Sequence, residues 1–214
     1  MLNIVNASKT GLISSKVKIV ISNNKNSDGI EKAKKKKIKT KVLIQNDYNS
    51  KKDFEIDLNN KLEKEKVDLI CLAGFMTILS KYFLDKWKNK IINIHPSLLP
   101  KFRGKDAVKK ALESKIKTSG CTVHFVDEGI DTGKIIDQEK VMVSNDDNEK
   151  TLAKKILKKE HILYIRVIKE LERMHNNVKV SWGFFCKIYK IYYLVLCISY
   201  NTFSSLVVLF NKVT

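Results

Sequence analysis

Short apolar runs alternate with longer amphipathic segments along most of this chain. The apolar runs, at residues 17–21, 41–45, 67–73 and 90–95, predict β-strands. Between and after them, apolar residues spaced three or four apart predict helices at 28–36, 50–65, 80–88 and 105–116. Strands that alternate with helices form βαβ units. The pattern therefore predicts an α/β fold with a mostly parallel sheet and helices on both of its faces.

Two more strands and a long helix follow this alternation. Runs rich in strand-forming residues, at 121–126 and 134–143, flank a tight loop. A cluster of good N-cap residues at 144–148 then precedes a helix predicted at 148–174. In such sheets ligands bind beyond the carboxyl ends of the parallel strands, which is where Met76, Asn93 and His95 fall.

The strand predicted at 90–95 ends with Asn93 and His95. Because side chains two apart on a strand point the same way, the two can face one reaction centre. Pro96 and Pro100, the only prolines of the chain, then end the strand and stiffen the turn. An amide donor beside an imidazole suits acyl-transfer chemistry. A lone histidine at a strand end is more often structural, so a second signal is needed.

That second signal is the loop between the runs at 121–126 and 134–143. Asp131 lies there between Gly129 and Gly133, where glycine lets the backbone turn sharply and approach a ligand closely. Taken alone, an aspartate in a glycine-rich loop is usually only a turn former.

Together, three segments resemble the phosphoribosylglycinamide formyltransferases, the folate-dependent enzymes of purine synthesis. They are LAGFMTILS at 72–80, NIHPSLLP at 93–100 and HFVDEGIDTG at 124–133. The resemblance runs from residue 1 to about residue 176. It implies the Rossmann-like formyltransferase fold. Methionyl-tRNA formyltransferases and formyltetrahydrofolate hydrolases share the asparagine, histidine and aspartate, so these activities stay open as alternatives, as does a catalytically dead fragment. The first two segments favour the glycinamide enzyme.

The resemblance implies a reaction and a site. A formyl group would pass from the co-substrate 10-formyltetrahydrofolate to the amine of glycinamide ribonucleotide, with no metal required. Asn93 and a protonated His95 would stabilise the oxyanion. Asp131 would orient His95, raise its pKa and help to move the amine proton. A cis Leu99–Pro100 peptide is also implied.

Further ligand contacts follow from the same resemblance. The folate contacts would be Lys51, Met76, Thr77, Ile78, Leu79 and Asn93. For residues 76–79 an ordinary core role is compatible with this one. Glu160 would contact the glycinamide substrate, although a lone glutamate on a helix is otherwise usually solvated.

The N-terminal end departs from the family pattern. Residues 1–5 match the middle of a helix, so the family's first strand and its glycine-rich phosphate loop are expected to be missing. In a parallel sheet that strand would be central and buried on both faces. We therefore expect the chain as given to bind folate far better than the glycinamide substrate.

The C-terminal end departs as well. We divide the chain into a formyltransferase domain at 1–176 and an atypical apolar tail at 177–214. Residues 191–210 carry no charge and are long enough to span a bilayer, with Lys187 and Lys190 before them. Polar residues within the segment favour unrelated translated sequence over a membrane anchor.

Composition fits a single cytoplasmic enzyme. The net charge of +18 raises nucleic-acid binding as an option. The lysines are diffuse, however, and no basic motif carries interleaved aromatic residues that could read bases. Small-molecule substrates are therefore expected, and the charge would help to attract their anionic groups. The four cysteines show no CxxC spacing, which argues against a metal site or a disulfide framework. The oligomeric state stays open.

Overall fold

The computed structural model describes residues 1–188, apart from Asn26, and residues 205–210. Its helices are α1 Leu2–Lys9, α2 Asp28–Lys35, α3 Lys51–Lys64, α4 Lys81–Lys86, α5 Ala107–Glu113 and α6 Glu149–Ile188. Its strands are β1 Lys16–Ser22, β2 Thr40–Val42, β3 Leu69–Ala73, β4 Ile91–His95, β5 Thr118–Phe125, β6 Ile135–Met142 and β7 Ser205–Phe210. The elements predicted from periodicity are present, and the predicted α/β class is confirmed.

All the described strands form one sheet, in the order β2-β1-β7-β3-β4-β5-β6. The first five in this order are parallel to their neighbours. Strands β5 and β6 run antiparallel to the strands beside them. The loop at 126–134 joins β5 to β6, whereas α5 lies between β4 and β5. The sheet is therefore mostly parallel, as predicted, with an antiparallel end.

Helices cover both faces of the sheet. Since neighbouring residues of a strand point to opposite faces, Cys71 and Ile92 pack in one core cluster and Ile70 and Ile91 in the other. The first cluster contains apolar residues of α1, α2, α5 and α6. The second contains those of α3 and α4. Strand β3 is thus buried on both sides, which explains its continuous apolar sequence.

Strand β7 occupies a central position between β1 and β3. Its Val208 lies beside Val20 of β1 and Cys71 of β3. The expected absence of the family's first strand therefore does not leave β1 and β3 side by side, because residues from the predicted tail separate them. Helix α6 also continues past the predicted boundary at 176, to Ile188.

The rest of the predicted tail, residues 189–204 and 211–214, lies outside the described residues. Most of the apolar segment at 191–210 is among them. Within the part of the chain that the structure describes, no helix is both long and apolar enough to cross a membrane.

Candidate active site

His95 is the last residue of β4 and is held on both sides of its ring. Its side chain is buried, with 5% of the residue exposed. Nδ1 lies 3.2 Å from Asp131 Oδ2, and Nε2 lies 2.8 Å from the carbonyl oxygen of Phe102. Since a carbonyl oxygen only accepts, Nε2 carries a hydrogen. The geometry fixes the orientation of the ring against the carboxylate.

Asn93 completes the predicted group. Its Nδ2 donates to Asp131 Oδ1 over 3.4 Å. Asp131 in turn accepts a hydrogen bond from the Gly104 backbone N–H at 2.9 Å. The predicted convergence of Asn93, His95 and Asp131 is therefore confirmed.

His124 is a fourth member of this cluster, which sequence reasoning missed. Its Nε2 lies 3.3 Å from Asn93 Nδ2 and 3.4 Å from Asp131 Oδ1, and its Nδ1 donates to the Phe125 carbonyl at 2.7 Å. A neutral His124 can accept from Asn93, whereas a protonated one can donate to Asp131. The antiparallel register pairs His124 directly with Asn93 across β4 and β5. That register is not visible in the local sequence pattern, although His124 itself lies in one of the three family segments.

The charges of this buried cluster influence one another. Burial lowers the pKa of His95 below its ordinary value of 6.5, against the upward effects of the Asp131 carboxylate and the Phe102 carbonyl. Asp131 therefore raises the pKa of His95, as expected, but desolvation outweighs this effect and the net shift is downward. Burial alone would raise the pKa of Asp131. The contacts with His124 and Gly104 and the charge of His95 bring it below its ordinary value of 3.8.

The loop after β4 is attached to β5 and β6 by a buried polar network centred on Thr122. The Thr122 hydroxyl donates to the Ser97 carbonyl at 2.7 Å and accepts from the Leu99 N–H at 3.0 Å. Gln138 Nε2 donates to the Leu99 carbonyl and to Thr122 Oγ1. The Leu99–Pro100 peptide is cis, as expected. These bonds fix the loop that carries Phe102 and Gly104, which contact His95 and Asp131.

The loop that carries Asp131 depends on close backbone packing at Gly133. A Cβ atom at this position would lie 1.8 Å from the carbonyl oxygen of Phe125. No side chain fits at that separation, so the residue type is dictated by the approach of the loop to β5. Asp131 itself has a φ of 52°, in the left-handed region that aspartate tolerates better than most residues. The backbone here is shaped to present the carboxylate to His95.

The predicted folate segment follows β3 at the same edge of the sheet as the cluster. Met76 and Ile78 are 56% and 58% exposed, so the segment presents apolar side chains to solvent. The Thr77 hydroxyl accepts a hydrogen bond from Asn23 Nδ2 at 2.8 Å. Leu79 is buried in the core cluster of α3 and α4. Its side chain therefore supports the segment, which is the core role left open for it.

Lys51 and Glu160 lie on two different helices. Lys51 begins α3, one turn before Glu55, whose carboxylate contacts Ser80 at the end of the folate segment. Glu160 lies on α6, close enough to Cys121 of β5 to influence it electrostatically. Burial raises the pKa of the Cys121 thiol to about 12, and the negative charge of Glu160 adds to that rise. Among the residues that the structure describes, no group of three or more His, Cys, Asp or Glu side chains is placed to hold a metal ion.

Comparison with known proteins agrees with this geometry. A family model described as formyl transferase matches residues 1–168. The phosphoribosylglycinamide formyltransferase of Bacillus subtilis is 41% identical over 148 residues, which cover 69% of this chain and 76% of that protein. The crystal structure of phosphoribosylglycinamide formyltransferase from Bacillus halodurans has a TM-score of 0.77 at 35% identity, and the match covers 79% of this chain and 88% of that chain.

Longer relatives contain a similar region. The trifunctional purine biosynthetic protein adenosine-3 of Chironomus tentans is 43% identical over 173 residues, or 79% of this chain and 13% of that protein. The chain spans between 11% and 17% of the length of the trifunctional relatives it matches. The chain belongs to the formyl transferase family, among its phosphoribosylglycinamide formyltransferases.

Proposed function

We propose that this protein transfers a formyl group from 10-formyltetrahydrofolate to the amine of glycinamide ribonucleotide. The observation that carries the proposal is the direct contact of Asn93, His95 and Asp131 at the carboxyl end of β4. This cluster combines amide, imidazole and carboxylate groups within hydrogen-bond reach, which suits proton transfer during acyl transfer. Both substrates are small molecules, and the reaction fits the purine synthesis that occurs in the cytoplasm.

The reaction is an addition followed by an elimination at the formyl carbon, without a covalent intermediate on the protein. The amine nitrogen forms a bond to that carbon, giving a tetrahedral intermediate with a negatively charged oxygen. The bond from the carbon to the folate nitrogen then breaks, and the proton lost by the amine ends on that nitrogen. The amide of Asn93 and the positive charge of a protonated His95 stabilise the oxygen, and a donor in comparable sites contributes about 3–4 kcal/mol. Asp131 relays the proton.

Asp131 supports His95 by charge as well as by position. The oxyanion role needs a protonated imidazole, and burial opposes that form. The Asp131 carboxylate acts against burial, and it keeps its own charge because its pKa is lowered. The pair therefore functions as a unit, in which loss of the carboxylate also weakens the histidine.

The segment at 74–80 is the proposed folate site. Met76 and Ile78 provide exposed apolar surface for a flat pterin ring, and Thr77 and Asn93 provide polar groups beside it. Leu79 supports the segment from the core, and Lys51 at the start of α3 provides a positive charge for the acidic tail of folate. Glu160 on α6 is the proposed contact for the glycinamide substrate.

The proposal is tested by exchanging the acceptor. The full chain is incubated with 10-formyltetrahydrofolate and glycinamide ribonucleotide, with initiator methionyl-tRNA, or with neither. We expect formylated glycinamide ribonucleotide as the product. Formate release without an acceptor would favour the hydrolase, and formylation of the tRNA would favour the tRNA enzyme. If neither formyl transfer nor formate release occurs in any of the mixtures, the proposal that the protein is an enzyme is contradicted.

The titration of His95 tests the proposed coupling within the cluster. We expect an NMR titration midpoint for the His95 imidazole below 6.5, and a still lower midpoint in Asp131→Asn. The sign follows because the Asp131 charge favours the protonated ring, so its removal leaves burial less opposed. An unchanged or higher midpoint in Asp131→Asn would show that the carboxylate does not support the charged ring.

The lowered pKa of His95 also makes the free energy of unfolding depend on pH. A histidine whose pKa is lower in the folded state stabilises that state above pH 6.5, and this contribution is lost as the pH falls from 6.5 through the folded-state pKa.

A further inference from the structure

Glu55 on α3 is a buried carboxylate that the reaction does not use. None of its surface is exposed, and among the described residues no basic side chain forms an ion pair with it. Its Oε1 accepts a hydrogen bond from the Ser80 N–H at 2.7 Å, and its Oε2 accepts one from the Ser80 hydroxyl. A carboxylate without a cation is costly to bury unless hydrogen bonds compensate. Here both compensating bonds come from one residue.

Ser80 is the point where the folate segment ends and α4 begins. Its hydroxyl also caps α4 by accepting the Phe83 N–H. At the other end of the segment, Gly74 turns the chain with a φ of 70°. In the middle, Asn23 of the β1 end holds Thr77. The exposed Met76 and Ile78 are therefore carried by a segment that turns at Gly74 and is held by side-chain hydrogen bonds at Thr77 and Ser80.

We propose that Glu55 is a positioning residue that sets the shape of the folate-binding segment through Ser80. The inference rests on the proposed function of residues 74–80. The two bonds restrain the position and direction of Ser80, and so the path of the backbone that presents Met76 and Ile78. Among the described residues, Glu55 forms no hydrogen bond or ion pair with His95 or Asp131, so its effect falls on folate binding rather than on proton transfer.

The experiment compares two buried polar residues on the same helix. Asn59 on α3 is also buried, and its Oδ1 accepts a hydrogen bond from the Trp87 indole at 3.1 Å. Glu55→Ala and Asn59→Ala each remove a buried link from α3 to the region of α4, so both lower the melting temperature. Only Glu55→Ala releases the folate segment. We expect Glu55→Ala to raise the Kd for tetrahydrofolate and the KM for 10-formyltetrahydrofolate about tenfold.

The controls separate positioning from general stability. In Glu55→Ala we expect kcat at saturating folate to stay near the wild-type value. Glu55→Gln can accept the Ser80 N–H and donate to the Ser80 hydroxyl, so its Kd should also stay near wild type. Asn59→Ala should lose stability without a change in Kd. Ser80→Ala, which leaves α3 intact, should raise the Kd by a smaller factor and keeps the test available if Glu55→Ala does not fold.

An unchanged Kd in Glu55→Ala or Ser80→Ala would overturn the positioning role, as would an equal rise in Asn59→Ala. These results are distinguishable from a failure of the proposed function. In that case the wild-type chain itself would not bind tetrahydrofolate, and the inference would fall with it.

Discussion

Replacing Asp131 with asparagine is expected to lower kcat by about two to four orders of magnitude, the range typical for loss of a positioned acid or base. The substitution keeps the size of the side chain and an acceptor for the Gly104 N–H, but it removes the charge that faces His95. His95→Ala should have an effect of similar size, because the two side chains act as a unit. Folate binding should persist in both variants, since the exposed apolar residues of the folate segment are unchanged.

The matched control is Asp127→Asn in the same loop. Asp127 is exposed and accepts hydrogen bonds from the Gly129 N–H and the Thr132 hydroxyl, all within the loop. Its amide replacement keeps one acceptor and should leave kcat near the wild-type value. Single-turnover kinetics with saturating folate separates the chemical step from binding. Wild-type turnover in Asp131→Asn would show that the carboxylate is structural.

Local signals in the sequence were sufficient to predict strand β4 and the position of Asn93 and His95 at its end. The apolar run of β4, the position of Asn93 and His95 at its end and the two prolines beyond are neighbours in sequence. The direction of the two polar side chains follows from the geometry of a strand, and the end of the strand follows from the prolines. The pairing of Asp131 with His95 came instead from the resemblance, because the two residues are distant in sequence.

Other features depend on contacts that no local pattern contains. His124 joins the site through the register of β4 against β5, and registers are set by the whole sheet. The upward effect of Asp131 on the pKa of His95 was expected from the sequence, but the larger downward effect of burial was not, because burial depends on the loops that pack around the ring. The sequence pattern alone is typical of a solvated Glu55 on an amphipathic helix. Its burial becomes clear only from the structure, in which Ser80 lies against its carboxylate.

The position of β7 was the least predictable feature of the fold. The strand is separated from its sheet neighbours by most of the chain, and it lies at the end of the uncharged segment 191–210, whose length alone would allow it to span a bilayer. In the sheet it pairs with β1 on one side and β3 on the other. It therefore joins the strands β2 and β1 to the strands β3 to β6, which carry the catalytic cluster.

We expect Val208→Pro in the full chain to destabilise the fold by about 1–3 kcal/mol, the cost of leaving a buried backbone group without its hydrogen-bond partner. Val208 lies beside Val20 and Cys71, so its backbone has sheet partners on both sides. Proline has no N–H to donate and is found in sheets almost only at edges and bulges. Thermal unfolding followed by circular dichroism measures the loss.

Hydrogen exchange shows whether that loss comes from the sheet. In the wild-type chain, the amides of β7 should be protected to a degree similar to those of β1 and β3, because a strand between two partners opens only when the sheet does. Val208→Ile, which keeps a β-branched side chain and the N–H, is the matched control and should behave like the wild type. In Val208→Pro, protection should fall in β1 and β3 as well as in β7. Rapid exchange of the β7 amides in the wild type, or an unchanged melting temperature in the proline variant, would mean that the sheet is stable without this strand. The proposed catalytic cluster would then be supported only by β3 to β6.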